Sequence, residues 1–304
     1  MDDIVSDHKW SLSVITNGVW VRFGTDSKDS RNMDYDSEKQ GRFLIINGNE
    51  EDWKSLGMVL KLQKSKMKTL ILTYSLDENL EEMSEFLDKF KKLLTALSSP
   101  LRTEELQMVA TDQSEILQIL PHLDSTSLKS IVIRHPEISQ FELKIDEIKK
   151  LPHFKNARNV EIDSHNHCFR PHQFLYLPRF SLRMKSMSVY ELIYVLEKIM
   201  NTSIFQSLSL RYSDFNDEHR LTELWGPPEY SYRPIGSFFF NAREIDRYWY
   251  FKFPNLVILQ VCIYHSNKLD VRRLTGEEAK PKMGKAKDWQ DWIGLRDDEV
   301  IVID

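Results

Sequence analysis

A short apolar pattern recurs along the 304-residue chain and constrains its fold more than any other feature. Positions one, four and six of this hexad are apolar. In the copies around Phe180 and Leu208, apolar residues alternate with polar ones, as in a strand with one buried side. Each hexad therefore predicts a short strand. The clear copies are Met67-Leu70-Leu72, Leu128-Ile131-Ile133, Ala157-Val160-Ile162, Leu177-Phe180-Leu182, Phe205-Leu208-Leu210 and Phe253-Leu256-Ile258, and a weaker copy is Thr103-Leu106-Met108.

Helical periods separate several of the hexads. Apolar residues step by three and four within residues 80–97 and again within residues 189–199, which predicts two amphipathic helices. Ser188 and Glu191 have the spacing of a capping box, in which each side chain accepts a hydrogen bond from a backbone N–H at the helix start. The same spacing occurs at Ser75 with Glu78 and at Asp112 with Glu115.

The alternation of strands and helices predicts the fold class. A strand, a helix and another strand imply a right-handed crossover and parallel pairing, and the hexad is half of a leucine-rich-repeat unit. We therefore predict an α/β fold, an irregular leucine-rich-repeat-like solenoid with short parallel strands and intervening helices. The alternative is an ordinary α/β sheet with helices on one face, because the copies are unevenly spaced and no Asn or Cys ladder follows them.

The two ends of the chain differ from the middle. Residues 1–50 contain two strand-like segments, Val19 to Phe23 and Arg42 to Ile46, and are predicted to form a hairpin that caps the first repeat. Residues 51–265 form the predicted repeat domain. Residues 266–304 are a charged C-terminal tail that could be mobile, with a solvated basic cluster at 280–287 and with Trp289, Trp292 and Ile293 as its anchors.

Composition limits the function classes. The net charge of −5 disfavours a general nucleic-acid or anionic-membrane binder, which needs a net basic surface. Cys168 and Cys262 make no disulfide framework, and the acidic N-terminus lacks the apolar core of a signal peptide. We therefore expect a cytoplasmic or nuclear protein with no membrane span.

The middle of the chain resembles a known family. The run LPHFKNARNVEI, Leu151 to Ile162, looks like a segment near the middle of the FTH domain of nematode F-box-associated proteins, with Phe154 where that family usually has Trp. Residues 115–133, 188–210 and 247–263 resemble the segments that flank it in that family. The similarity extends over about residues 50 to 265, and the combination of segments carries it.

The resemblance implies a protein-binding module. Family members commonly begin with an F-box, a helical segment that docks on a Skp1-like adaptor of a cullin ubiquitin ligase, while the FTH part is thought to recruit the protein to be modified. Residues 1–50 are then either the strand-like cap or a divergent F-box region. The implied partners are an unidentified protein and a Skp1-like adaptor.

The sequence contains few residue patterns that indicate a catalytic or metal-binding site. The best candidate for a metal site is His165, His167 and Cys168, with His172 nearby. Zinc requires four protein ligands, or three and a water molecule. No Cys-x-x-Cys or His-Glu-x-x-His motif accompanies these residues. The expected interpretation is a surface loop. Nucleotide-binding glycine motifs, G-x-S-x-G and kinase motifs are absent from the sequence. We therefore expect no enzyme, no catalytic residues, no cofactor and no metal.

A dense aromatic segment runs from Trp225 to Phe253. Most of it is predicted to pack as a C-terminal cap, with residues 248–251 in a strand buried largely on one face. Nearby prolines place a subset in a loop, where aromatic and arginine side chains are favoured for binding a partner. The partner-binding candidates are Trp225, Tyr230, Tyr232 and Arg233.

These observations favour a non-enzymatic protein-recognition module. In one form of this hypothesis, the module is the substrate-binding part of a ubiquitin ligase. The alternative is an RNA-associated regulatory binding protein. A continuous Lys/Arg stripe on the concave face, with salt-dependent binding, would discriminate the second class from the first.

Overall fold

The fold is mixed α/β. The computed structural model describes residues 10–15, 18–23, 42–46, 50–62, 66–73, 80–136, 143–164, 169–234, 243–252, 258–282 and 285–288. The chain divides into two compact units, Met1–Asp163 and Ser164–Asp304. None of the described helices combines the length and the apolar character that crossing a membrane requires.

Strands and helices are interleaved along the chain. The described strands are β1 Trp10–Ile15, β2 Gly18–Phe23, β3 Arg42–Ile46, β4 Met67–Thr73, β5 Thr103–Val109, β6 Ser130–Arg134, β7 Asn159–Asp163, β8 Arg179–Ser188, β9 Ser207–Asn216, β10 Glu229–Pro234, β11 Arg243–Lys252, β12 Ile258–Tyr264, β13 Lys268–Leu274 and β14 Lys287–Asp288. The described α-helices are α1 Glu50–Leu62, α2 Leu80–Thr95, α3 Gln113–Ile119, α4 Pro152–Asn156, α5 Val189–Met200 and α6 Arg220–Trp225. Short 3-10 turns occupy Leu120–His122, Ile148–Lys150, Pro171–Phe174, Gly276–Glu278 and Lys280–Lys282.

The sheet of residues 1–163 is largely parallel. Its strand order is β3-β2-β1-β4-β5-β6-β7, and the strands from β1 to β7 in this order pair in parallel. The predicted pair at Val19 to Phe23 and Arg42 to Ile46 is confirmed, because β2 and β3 pair antiparallel. The sequence pattern did not reveal β1, which joins this hairpin to β4.

The hexads supply core residues in both units. Leu70, Leu106, Ile131 and Val160 are directly paired across β4, β5, β6 and β7, and each is 0% exposed. The hexad copies that end at Leu182 and Leu210 are likewise buried and pair in parallel across β8 and β9. Strand formation and parallel pairing are therefore confirmed for these copies.

Parallel pairing is wrong for the last hexad. In residues 164–304, β8 and β9 are parallel, but β9, β13, β12, β11 and β10 follow one another in antiparallel order. Ile258 begins β12, whereas Phe253 and Leu256 lie outside the described residues. β12 and β13 pair antiparallel because the connection between them is short. It has three residues and ends at Asn267, whose φ is 53°. A helical crossover between parallel strands would need a longer connection.

The predicted helix starts can be compared with their hydrogen bonds. Ser188 and Glu191 form the predicted capping box, with Glu191 N donating to Ser188 Oγ at 3.2 Å and Ser188 N donating to Glu191 Oε2 at 3.0 Å. Asp112 accepts from the backbone N–H of Ser114 at 2.7 Å. The Glu115 carboxylate accepts a backbone hydrogen bond from Asp112, as predicted, and it also accepts from the backbone N–H and the hydroxyl of Thr111. Ser75 and Glu78 lie outside the described residues.

The capping box gives a first testable prediction. Ser188→Ala removes the acceptor for Glu191 N, and we expect the free energy of unfolding to fall by about 1 kcal/mol in urea denaturation. Ser186→Ala, at an exposed position of the preceding strand, serves as control and should change it by less than about 0.5 kcal/mol. Equal stability of the two variants would contradict the assigned helix start.

Residues 268–274, which were expected in a charged C-terminal tail, form strand β13 between β9 and β12. The residues that follow pack against the sheet, which differs from the expected solvated segment. Ala279 is 3% exposed and lies in one cluster with Tyr250. Lys282 Nζ lies 4.7 Å from the centre of the Tyr250 ring, and Lys285 Nζ lies 2.9 Å from a carboxylate oxygen of Glu229. Lysine stems can cover aromatic surface while their charge stays in water. The predicted anchors Trp289, Trp292 and Ile293 lie outside the described residues.

Candidate binding surface on the sheet of residues 164–304

One side of the sheet of residues 164–304 is polar across β8, β9 and β13. Along each of these strands, buried apolar residues alternate with residues that are exposed or half-buried. Side chains alternate between the two sides of a strand, so the polar residues share one side. We call this surface the polar side. Its members are Arg179, Ser181 and Arg183 in β8, Ser207, Ser209 and Arg211 in β9, and Lys268, Asp270 and Arg272 in β13.

Strand register aligns three cations on the polar side. Arg183 pairs directly with Arg211 across β8 and β9, and Arg211 pairs directly with Lys268 across β9 and β13. We call these three residues the basic row. Because neighbouring strands are about 4.8 Å apart, the row spans roughly 10 Å. Arg179 and Arg272, paired through Ser207, form a second position of positive charge, which we call the outer pair.

A single aspartate on the polar side separates the basic row from the outer pair. Asp270 pairs with Ser209, whose hydroxyl donates to Asp270 Oδ1 at 2.7 Å. Lys268 Nζ donates to Asp270 Oδ2 at 2.9 Å. In the outer pair, Arg272 Nε donates to Gln260 Oε1 at 2.6 Å. Among the nine residues named as the polar side, five are therefore cations and one is a carboxylate.

The polar side continues onto β12 through Cys262 and Tyr264, which pair with Asp270 and Lys268. Burial raises the pKa of the Cys262 thiol and of the Tyr264 hydroxyl. Lys268 Nζ lies 5.1 Å from the centre of the Tyr264 ring. Both groups therefore stay protonated near neutral pH, and the charge of this surface comes from its arginines, lysine and aspartate.

The buried thiol gives a second prediction. The thiolate is the reactive form, so burial and a raised pKa protect Cys262 from alkylation. In a Cys168→Ser variant, we expect iodoacetamide to label the native protein at least about tenfold more slowly than the urea-unfolded protein. Mass spectrometry measures the rate, and equal labelling in both states would contradict the position of Cys262 in β12.

Trp225 was expected in an exposed loop, and this expectation is wrong. Trp225 is the last residue of α6 and is 1% exposed. Its ring meets those of Trp249 and Phe251 edge-on, with centroids 5.6 and 5.1 Å apart. The prolines that follow bend the backbone only after Trp225, while the ring is covered by a strand distant in sequence.

The remaining partner-binding candidates lie on a strand and not in the expected loop. Tyr230, Tyr232 and Arg233 belong to β10, which pairs antiparallel with β11. Tyr230 is 56% exposed, as expected. The side chains of Tyr232 and Arg233 lie outside the described part of the structure.

The strand predicted over residues 248–251 is confirmed in β11, but it is buried on both sides. Trp249 and Phe251 face Trp225, while Tyr250 lies in the cluster with Ala279 from the tail. The second layer over Tyr250 explains the difference from the predicted one-sided burial.

The histidine-rich segment contributes no described metal centre. His165, His167 and Cys168 lie outside the described residues. His172 is half-buried, and its ring lies edge-on to Tyr194 with centroids 5.6 Å apart. Burial lowers the pKa of His172. Among the described residues, no group of three or more His, Cys, Asp and Glu side chains could hold a metal ion.

Sequence reasoning missed the basic row, although part of its signal was present. Arg183 and Arg211 follow the last apolar position of two successive hexads, in the matching tripeptides Ser181-Leu182-Arg183 and Ser209-Leu210-Arg211. Parallel pairing of two hexads in register would have placed these arginines side by side. Lys268 carried no such signal, because β13 joins β9 antiparallel and has no hexad.

Comparison with known proteins supports the resemblance found in the sequence. The family model of the FTH domain matches residues 84–227, which extend from within α2 to just past α6 and include most of the polar side. A search of curated proteins found no match. Residues 84–227, somewhat less than half of the chain, are therefore similar to the FTH domain.

Proposed function

We propose that this chain is a non-enzymatic protein-recognition module of the cytoplasm or nucleus, built on an irregular leucine-rich-repeat-like solenoid. Support for this finer description of the fold comes from the hexads, whose buried residues are in register from β4 to β7 and again from β8 to β9. Solenoids of this kind present extended surfaces on which side chains can vary without disturbing the core.

The observation that carries the proposal is the polar side. Its side chains project from paired strands and not from loops, so their spacing is fixed by the sheet. The charge of the polar side contrasts with the net charge of −5 of the chain. A localised basic surface on an acidic protein is suited to selecting a complementary partner surface.

The proposal extends to the substrate-binding part of a ubiquitin ligase of the Skp1–cullin–F-box type. The match of residues 84–227 to the FTH domain supports this extension. The strands β1, β2 and β3 occupy most of the described part of residues 1–50, where a helical F-box would be needed. The alternative of a divergent F-box there thus gains no support from the described elements.

Adaptor binding has a direct test. The intact chain is titrated with a purified Skp1-like adaptor by isothermal calorimetry. Saturable binding with a Kd of about 10 μM or tighter supports the ligase role. Absence of heat at adaptor concentrations well above that value would overturn the ligase role and leave the recognition module.

Protein recognition is tested by recovering partners on the tagged, intact chain with and without nuclease treatment. The proposal predicts a protein that stays bound after nuclease treatment and that binds again when purified. Recovery of proteins only through nuclease-sensitive contacts would contradict it.

A second candidate function is an RNA-associated regulatory protein. The basic row favours it, because a Lys/Arg stripe is what a phosphate backbone requires. Recovery of nuclease-sensitive RNA in place of a stable protein partner would select this candidate.

A further inference from the structure

We propose that the basic row and the outer pair bind an acidic, extended segment of the partner protein. This inference rests on the proposed function and deepens it by naming the chemistry of the partner. The surface is defined by five cations, of which Arg179, Arg211 and Arg272 are exposed and Arg183 and Lys268 are half-buried.

The strand register concentrates positive charge in the basic row. Arg211 is opposite both Arg183 and Lys268, so each of the two neighbouring strands places a cation beside it. At a strand separation of about 4.8 Å, a carboxylate bound beside Arg211 lies near more than one cation.

The chemistry of the row suits carboxylates. An arginine offers several N–H donors in a planar fork that matches a carboxylate. Arg183 and Arg211 also engage other groups of the chain, and the Arg211 side chain is exposed. Lys268 shares its ammonium with Asp270 at 2.9 Å and contributes positive charge at the end of the row.

The spacing along the strands defines a pattern for the partner. Arg183 and Arg179 are four positions apart in β8, and Lys268 and Arg272 are four positions apart in β13. At about 3.3 Å per residue this distance is roughly 13 Å, which an extended peptide spans between its positions i and i+4, both on the same side. Position i+2 would face Asp270 and should not be acidic.

The observations favour a protein ligand over RNA. Recognition of single-stranded RNA uses exposed aromatic rings on which bases stack. On this side of the sheet, the Tyr264 ring has Lys268 over it and the Tyr250 ring has Lys282 over it, at 5.1 and 4.7 Å from the ring centres.

The test is a fluorescence-anisotropy titration of the intact chain with three labelled probes. The first is a serine-rich peptide of about nine residues with glutamates at positions i and i+4, matched to the strand spacing. The second is an isomer with its glutamates at i and i+2. The third is an oligouridylate of similar length. Each probe is also titrated with Arg211→Glu and with the control Arg158→Glu, an exposed arginine outside the polar side.

We expect the i, i+4 peptide to bind at least about threefold more tightly than its isomer, because the isomer places a carboxylate over Asp270. Arg211→Glu should weaken its binding about tenfold or more, while Arg158→Glu should change it less than about twofold. Tighter binding and displacement by the oligouridylate would overturn the inference in favour of RNA.

Absence of peptide binding would also overturn the inference. Whether the proposed function holds is then decided by a separate experiment, the recovery of partners on the tagged chain. If Arg211→Glu retains the nuclease-resistant partner of the native chain, recognition stands but uses another surface. If the native chain recovers no such partner, the proposed function fails as well.

Discussion

Replacing Trp225 by alanine is expected to lower the free energy of unfolding by about 3–5 kcal/mol. Trp225 is 1% exposed, and its ring packs edge-on against Trp249 and Phe251. The substitution removes the buried aromatic surface and leaves a cavity beneath α6. Urea denaturation followed by circular dichroism measures the change without depending on tryptophan fluorescence.

Tyr230→Ala is the matched control for this experiment. Tyr230 comes from the same aromatic segment but is 56% exposed, so its loss should change the free energy of unfolding by less than about 0.5 kcal/mol. If Trp225→Ala were as mild as Tyr230→Ala, Trp225 would be exposed after all and available for a partner.

Leu208→Ala is expected to cost about 2–5 kcal/mol. Leu208 lies in β9 between Phe180 of β8 and Val271 of β13, and all three side chains are buried. The neighbouring Ser207 lies on the polar side, so Ser207→Ala serves as control and should change stability by less than about 0.5 kcal/mol. Similar effects of the two variants would contradict the alternation of buried and polar residues in β9.

The strands were predictable because the hexad combines two constraints. Its apolar positions must be buried, and an intervening helix returns the chain in the same direction. Both constraints hold at Leu106, Ile131 and Val160, which are fully buried and paired in parallel. The same reasoning placed α5 and its cap at Ser188.

Pairing near the C-terminus was not predictable from the hexad. Ile258 belongs to the same apolar pattern as the earlier strands, yet β12 lies between antiparallel neighbours. The length of the connection between two strands decides whether they pair parallel or antiparallel. The pattern of apolar positions within one strand carries no information about that length.

The prediction that Trp225 lies in an exposed loop was wrong for a related reason. The prolines after Trp225 predicted a loop, but prolines indicate only the course of the backbone and not the burial of a side chain. Whether the ring is covered depends on Trp249 and Phe251, which β11 brings to it from a distant part of the chain. The basic row is also a product of pairing, since Lys268 meets Arg211 only through the antiparallel register of β13.

The most direct test of recognition through the polar side uses the purified partner protein itself. Its affinity is measured for the native chain, for Arg211→Glu and for Arg158→Glu, two variants with the same change of charge. We predict that Arg211→Glu weakens binding about tenfold or more and that Arg158→Glu leaves it within about twofold of the native value. Equal affinities for the native chain and Arg211→Glu would contradict the assignment of the polar side as the binding surface.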